Sequence, residues 1–292
     1  MNYTFKYSEI ADLVFHLLAY LKVDNQSDLY SRAYIDAFDR LRTDGRSPSD
    51  EVAALSSYYN ENFEKLAVIN FLPFYAADLD TLEASLMCMP HFSESDKLRF
   101  LKPFMSILRR EAEAYFTVRN SFISENSALI KRTEEYIRSA FDAFACFFAF
   151  TGRTSATLSL SHSLTRFGRG LGSGGELTAI VPCPVSDEGI PDAFFQLLHE
   201  YSHSVTDPHV AANIRMDDGT HMLAEYYVIL FDHYLVKRVR PQDSEAYMRY
   251  ALAMFDIHTD APTEDMMLST FPLSSELYRD MLQLVEAVSS AK

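Results

Sequence analysis

The chain has 292 residues, of which 48% are hydrophobic, and its formal net charge is −15 at pH 7. This length allows one large domain or two ordinary ones, and the apolar content is enough for a sizeable core. The acidic balance and the lack of a Lys/Arg-rich block argue against nucleic acid or an anionic membrane surface as a partner, because both require a positively charged face.

The N-terminus and the cysteines bear on the cellular compartment. Residues 1 to 20 lack the basic start, apolar run and small-residue cleavage site of a signal peptide, and no stretch approaches 18 uninterrupted apolar residues. Three cysteines, Cys88, Cys146 and Cys183, are an odd number at irregular spacing, which does not predict a disulfide framework. Cys88 and Cys146 stand in apolar helical runs and are predicted to be buried thiols. We therefore expect a cytoplasmic protein that does not span a membrane.

Residues 8 to 150 predict a helical N-terminal region. Apolar residues recur there at three- and four-residue spacing, which is the pattern of helices with one buried face. Ser93 and Asp96 form the pattern of a capping box that opens one helix, and Pro103 is expected to kink or restart it. The other predicted helices cover residues 10 to 21, 29 to 41, 52 to 69, 72 to 89 and 127 to 150.

The composition changes after Thr151-Gly152. Apolar residues at 156, 158 and 160 alternate with serine and threonine, which predicts a strand. Five of the nine glycines lie between residues 168 and 175. They fit neither a Walker loop nor a dinucleotide-binding turn, and they predict a flexible loop. Residues 177 to 181 then predict a short apolar strand ended by prolines.

Residues 192 to 205 contain the pattern H-E-x-x-H, as His199, Glu200 and His203, in an apolar run without proline or glycine. A helix can run through this stretch, and residues four apart on a helix lie one turn above each other. The two imidazoles would share one face, which suits a tetrahedral Zn2+, and Glu200 beside them can act as general base toward a metal-bound water. The alternative is a surface helix with two solvated histidines. Asp207-Pro208 is expected to close this helix.

A zinc hydrolase needs a third protein ligand and an open position for water. The next predicted helix, His221 to Arg238, offers two candidates, because Glu225 lies 22 positions after His203 and His221 lies 18 after it. The two candidates are four residues apart and can face the same way. Two further helices are predicted around residues 244 to 255 and 274 to 287.

The string from His199 to Pro208, followed by Glu225 to Val228, resembles the gluzincin metallopeptidases, the thermolysin-like clan, and most of all the bacterial members of that clan. The resemblance covers residues 154 to 238. It implies an α+β, mostly α protein in which a helical region, residues 1 to 150, packs on a small zincin-like core, residues 151 to 292. This core would contain a short β-sheet, the H-E-x-x-H helix and the C-terminal helices.

The resemblance also implies a ligand set. The glutamate of the second helix is the third ligand in thermolysin-like enzymes, and that position maps onto Glu225. Those enzymes carry asparagine before this glutamate and aspartate four residues after it, whereas Ala224 and Ile229 stand here. The pattern of the aminopeptidase branch would instead place His221 on the metal and Glu225 beside it. Glu225 is the favoured ligand.

The function implied is that of a zinc metallopeptidase, which cleaves a peptide or protein substrate with Glu200 as general base. In this clan the strand before the active helix forms the upper rim of the cleft, which maps onto residues 177 to 181, and an extended peptide could pair with that edge. One alternative is a catalytically silent zincin-like protein that acts as a binding or regulatory module. Another is a structural metal site with a closed shell of four ligands.

Several other residues carry relevant chemistry. Gluzincins often place a histidine or tyrosine that steadies the oxyanion in the C-terminal region, where the candidates are His258, Tyr247, Tyr250 and Tyr278. His209 is expected to be exposed in the loop after the motif, and His233 could face the same side as Glu225 two turns away. Cys183 raises the alternative of a Cys-His-His site like that of peptide deformylases, although it lies in Pro-Cys-Pro rather than in that family's Glu-Gly-Cys-Leu string.

Overall fold

The computed structural model of the chain describes residues 2–23, 32–42, 45–152, 155–173, 176–213 and 221–290. Over these residues the protein is mostly helical and contains a small mixed β-sheet. The predicted α+β, mostly α class is therefore confirmed. The prediction that the C-terminal part is a zincin-like core stays a prediction.

The helices are numbered here in chain order. They are α1 (Glu9–Leu18), α2 (Arg32–Leu41), α3 (Ser49–Ala53), α4 (Ser56–Glu61), α5 (Phe63–Leu66), α6 (Leu79–Cys88), α7 (Glu94–Asp96), α8 (Lys102–Glu125), α9 (Ser127–Ala143), α10 (Ala145–Phe150), α11 (Ile190–Asn213), α12 (His221–Val239), α13 (Ser244–Ala253), α14 (Glu264–Thr270) and α15 (Ser275–Ser290). None of the helices in the described ranges is both long enough and apolar enough to cross a membrane.

The sheet contains four strands within the described residues: β1 (Asn2–Phe5), β2 (Ser155–Ser161), β3 (Arg169–Ser173) and β4 (Glu176–Pro182). Their order is β1-β2-β4-β3, in which β1 and β4 run parallel to β2 and β3 runs antiparallel to β4. The predicted strand at 177 to 181 is confirmed as β4, but the prediction that it offers an edge is wrong, because β2 and β3 flank it. The edge strand beside β4 is β3, in the glycine-rich segment that was predicted to be a loop, and β1 is the edge strand on the other side.

The sheet lies between two hydrophobic clusters. Leu177, Ala179 and Val181 of β4 point into a cluster formed with residues of α9 to α15, which we call the C-terminal cluster. Ile180 points the other way, into a cluster that otherwise draws on Leu164 and on residues between Ala11 and Val118, the N-terminal cluster. This is the alternation expected of a strand covered on both faces. The proposed division into domains at residue 150 stays a prediction, and buried residues from Ile130 onward already pack in the C-terminal cluster.

Three of the predicted N-terminal helices are broken, and the stretch 127 to 150 is the simplest case because it forms α9 and α10. The stretch 52 to 69 forms α3, α4, α5 and a 3-10 turn (Ala67–Asn70), and the stretch 72 to 89 is a 3-10 turn (Leu72–Tyr75) followed by α6. Asn62 ends α4, and its side chain donates a hydrogen bond to the carbonyl of Tyr58. Asparagine side chains that bond the backbone compete with helix continuation, and Pro73 lacks the amide hydrogen that a helix interior requires. Helix α14 was not predicted.

The sequence predicted one capping box and two proline effects near the long helices, and the structure confirms some of these predictions but not all. The capping box at Ser93 and Asp96 is confirmed. A π-helical turn (Lys97–Leu101) precedes α8, and Pro103 sits in the first turn of α8, so the predicted restart is present. The prediction that Asp207-Pro208 closes its helix is wrong, because α11 continues to Asn213 with Pro208 inside it.

The prediction that Cys88 and Cys146 are buried thiols is also wrong, because both residues are exposed, on α6 and α10.

Candidate metal centre

Helix α11 carries the H-E-x-x-H residues. Pro191 stands in its first turn, and Phe194, Phe195, Leu197, Leu198 and Tyr201 bury one side of the helix in the C-terminal cluster. His199 and His203 lie one turn apart on the more open side, where 12% and 26% of their side chains are exposed. The predicted geometry of the pair is therefore present, and the histidines are partly enclosed rather than fully solvated.

Helix α12 packs against α11 and brings Glu225 to the two histidines. The Nε2 atoms of His199 and His203 are 3.2 Å apart. One Glu225 oxygen, Oε2, lies 3.2 Å from His199 Nε2, and Oε1 lies 3.8 Å from His203 Nε2. Among the described residues, this is the group of three metal-ligating side chains whose donor atoms all lie within 4.8 Å of one another. The arrangement can hold a metal ion.

In each histidine the ring nitrogen Nδ1, which does not face the other ligands, lies near an acid. His203 Nδ1 lies 3.0 Å from Asp207 Oδ1, and His199 Nδ1 lies 3.8 Å from Asp232 Oδ2. Asp232 is fully buried on α12, and Ser202 donates a hydrogen bond to its other oxygen. The sequence prediction missed Asp232. Its distance of seven residues from Glu225 places both on one face of α12, and that spacing was the available signal.

These contacts shift two pKa values. Burial raises the pKa of Asp232 to about 7, although His199 and the Ser202 hydrogen bond oppose the shift. Burial by itself would lower the pKa of His203, but the hydrogen bond to Asp207 and the charges of Glu225, Asp207 and Glu200 outweigh it and raise the pKa to about 9. The acids around His203 therefore favour positive charge on that ring.

Strand β3 passes directly over Glu200. A Cβ atom built on Gly170 would lie 2.4 Å from Glu200 Oε2 and 2.9 Å from Glu200 Cβ. One built on Gly168 would lie 2.9 Å from Val181 Cγ1 and 3.1 Å from the carbonyl oxygen of Ile180. Glycine at these two positions lets the strand approach α11 and β4 more closely than a strand with side chains could.

A cleft of about 910 Å³ opens over this site. Residues of α11, α12 and β3 line it, together with residues just before β3 and at the end of α13. Ala67, Asn70 and Phe71 also line it. The lining includes His199, Glu200, His203, Glu225 and Tyr250. The cleft is therefore large enough for several residues of an extended peptide.

The structure separates the four candidates for an oxyanion-stabilising group. Tyr250 lines the cleft, and none of the described residues hydrogen-bonds its hydroxyl. Tyr247 is buried and donates its hydroxyl proton to the carbonyl of Ile229. The Tyr278 hydroxyl lies 2.6 Å from that of Tyr234, and His258 is exposed and does not line the cleft as described. Tyr250 is thus the candidate that the fold brings to the site.

The remaining predicted residues lie elsewhere. His209 is on α11 rather than in a loop, is half-buried, and has Nδ1 3.3 Å from Asp280 Oδ2. His233 is buried against the rings of Tyr234 and Tyr247. Cys183 follows β4, where burial raises its pKa to about 12, and it belongs neither to the described cleft lining nor to the metal-ligating group.

His221 is the first residue of α12, but its side chain lies outside the described part of the chain. The choice between His221 and Glu225 as third ligand therefore stays a prediction. No protein-family model, no curated protein and no solved structure matches the chain.

Proposed function

We propose that this protein is a zinc-dependent hydrolase of gluzincin type that cleaves peptide bonds. The observation that carries the proposal is the triangle of His199 Nε2, His203 Nε2 and the Glu225 carboxylate, with sides of 3.2, 3.2 and 3.8 Å. Zinc–ligand bonds of about 2.0–2.2 Å at tetrahedral angles place neighbouring ligand atoms about 3.3–3.6 Å apart. Three protein ligands at this spacing leave a fourth position open, as a catalytic site requires.

The acids behind the histidines support the same proposal. Asp207 Oδ1 lies 3.0 Å from His203 Nδ1 and can accept its proton, and Asp232 Oδ2 is a second acid, 3.8 Å from His199 Nδ1. The tautomer that this favours leaves the Nε2 lone pair free for a metal. Asp232 holds its own position through Ser202 and its complete burial. Carboxylates in this outer position typically raise the basicity of the ligating imidazole.

The chain's own residues have distinct roles in the proposed reaction. Zinc, when bound, would supply Lewis-acid activation of water and of the scissile carbonyl. Glu200 accepts the proton of the attacking water and delivers it to the leaving amine. The Tyr250 hydroxyl donates a hydrogen bond to the carbonyl oxygen as negative charge develops there. Both side chains line the cleft into which the three ligands face.

The free edge of β3 is the proposed binding surface for an extended substrate. Its other edge pairs with β4, and in the described residues no strand pairs with the outer edge. An unpaired edge offers backbone donors and acceptors at the spacing of a peptide strand. Because Gly170 sits against Glu200, a peptide added there would run past the general base.

The test compares wild type with Glu200→Gln. Zinc content is measured by mass spectrometry, and turnover is measured on a broad peptide library. The proposal expects equal zinc content and a fall in turnover by about 10²–10⁴-fold, because the amide cannot accept the proton. A structural zinc site would show no turnover in either protein, and a catalytically silent binding module would show the same. Equal turnover in both proteins would contradict the mechanism.

A further inference from the structure

Arg169, at the start of β3, is a cation of the cleft that has no acidic partner among the described residues. Its Nη1 donates a hydrogen bond to the carbonyl of Gly168 at 2.7 Å, and none of the described carboxylates lies within ion-pair distance of it. The other arginine of the cleft differs. Arg166 donates to the carbonyl of Met254 at 2.7 Å and to Asp256 Oδ1 at 2.9 Å, so its charge is already compensated.

The positive charge of Arg169 is not compensated by the other described charged residues that line the cleft. Glu200 and Glu225 line the cleft, and their two formal negative charges would balance a divalent zinc ion held by the proposed ligands. Arg166 and Asp256 balance each other. Among the cleft residues that the structure describes, one positive charge remains, at Arg169, in a protein whose overall charge is −15. A half-buried guanidinium without a carboxylate partner has unused donors in the fork geometry that matches a carboxylate.

The position of Arg169 relates it to the proposed reaction. Arg169 and Gly170 are neighbours on β3, so their side-chain directions are on opposite faces of the sheet. Gly170 faces Glu200. Arg169 is in register with Ile180, which faces the N-terminal cluster, and Asn70 and Phe71 line the cleft on that side. The cleft therefore wraps around the free edge of β3, with the metal-ligating group on one side and Arg169 on the other.

We infer that Arg169 forms a subsite for a carboxylate of the substrate, so that the preferred substrates are peptides with an acidic side chain or a free C-terminus close to the scissile bond. This inference rests on the proposed function. An extended peptide on the edge of β3 turns alternate side chains to the two faces of the sheet. The residue opposite Gly170 then faces Glu200, and the residue opposite Arg169 places its carboxylate beside the guanidinium. A terminal carboxylate at that point would meet the same donors.

The test measures binding rather than turnover. Zinc-loaded Glu200→Gln protein is titrated calorimetrically with N-acetylated alanine-based heptapeptides. One set scans a single glutamate along an amidated peptide, a second set replaces that glutamate by glutamine, and a third carries a free C-terminal carboxylate in place of the amide. We expect at least one carboxylate-bearing peptide to bind about 10- to 100-fold more tightly than its neutral counterpart, which is typical of a charge-assisted, bidentate hydrogen bond. The glutamate scan and the C-terminal pair distinguish the two sources of the carboxylate.

Three further variants test whether Arg169 causes this preference. In the same background, Arg169→Gln should abolish it and Arg169→Lys should keep part of it, whereas Arg166→Gln should leave it intact. Thermal unfolding of each variant verifies that the protein is folded. Equal affinity for charged and neutral peptides, absence of binding, or a preference that survives Arg169→Gln would each overturn the inference. Failure of the proposed function is seen separately, in zinc content and in the turnover of wild type.

Discussion

Gly170→Ala tests whether the close contact between β3 and α11 serves the general base. The three nearest heavy atoms to the added methyl group would all belong to Glu200: Oε2 at 2.4 Å, Cβ at 2.9 Å and Cδ at 3.2 Å. The carboxylate can rotate away from the methyl group, but Glu200 Cβ is fixed to the helix backbone. The substitution therefore both displaces the carboxylate and pushes β3 away from α11.

These two effects determine how much stability and how much turnover Gly170→Ala should lose. Overpacking of this kind costs about 1–3 kcal/mol, because the strand must move by a fraction of an ångström against a well-packed helix. Displacing the proton acceptor should lower turnover toward the Glu200→Gln level, a fall of up to about 10²–10⁴-fold. Zinc content should stay near wild type, because none of the three nearest atoms belongs to a proposed ligand.

The assay combines urea denaturation, zinc content and peptide turnover. Gly189→Ala is the matched control, because a Cβ there would meet Pro184 Cβ at 3.7 Å, an ordinary contact. We expect the control to be close to wild type in all three measurements. If Gly170→Ala were as stable and as active as Gly189→Ala, the close approach of β3 to Glu200 would be refuted.

Four further predictions follow from the same site and from its supporting helix. Wild type should bind about one zinc ion per chain, and His203→Ala should lose it; failure of wild type to bind zinc with sub-micromolar affinity at neutral pH would remove the metal site. Glu225→Gln should weaken zinc binding more than His221→Ala, and the reverse order, measured by competition with a chelator, would move the third ligand to His221. Asp232→Asn should lower zinc affinity by about 10- to 100-fold through loss of the acid behind His199, and unchanged affinity would show that this contact does not support the ligand. Burial raises the pKa of Asp192 from 3.8 to about 6, with Arg249 in opposition, so its contribution to stability is present below pH 4 and is lost as the pH rises through 6. The free energy of unfolding of Asp192→Asn should therefore rise by up to about 3 kcal/mol relative to that of wild type between pH 4 and pH 8. If denaturation gave the same difference in free energy of unfolding at both pH values, the prediction would be contradicted.

The features predicted correctly from the sequence are those that depend on residues close together in the chain. The i, i+4 histidine pair defines its own geometry once a helix forms, and the capping box at Ser93 and Asp96 is a contact within one turn. The apolar periodicity of α1 and α12 indicates a helix without knowledge of its neighbours. Such local signals need no information about the rest of the fold.

The features that were missed depend on distant partners. Asn2–Phe5 is a strand because it pairs with Ser155–Leu158, more than 150 positions away, and its four residues alone carry little signal. The glycines in and before β3 argue against a strand by propensity, but Gly170 is required by the close approach to α11, and Gly168, just before the strand, by the close approach to β4. Tertiary packing overrides local propensity in both cases, and the position of the cleft edge therefore could not be assigned from the sequence.

Asp232 was missed for a different reason. The thermolysin-like pattern used for comparison places an aspartate four residues after the glutamate ligand. At 100° per residue, a position four residues after Glu225 is rotated by about 40° around the helix, whereas one seven residues after is rotated by only about 20°. Asp232 is thus closer than Ile229 to the direction in which Glu225 points, and it lies about one turn further along α12. That turn places it beside His199 Nδ1 and Ser202. An acid behind the first histidine was therefore compatible with the sequence once the helix face, rather than the family spacing, is used as the criterion.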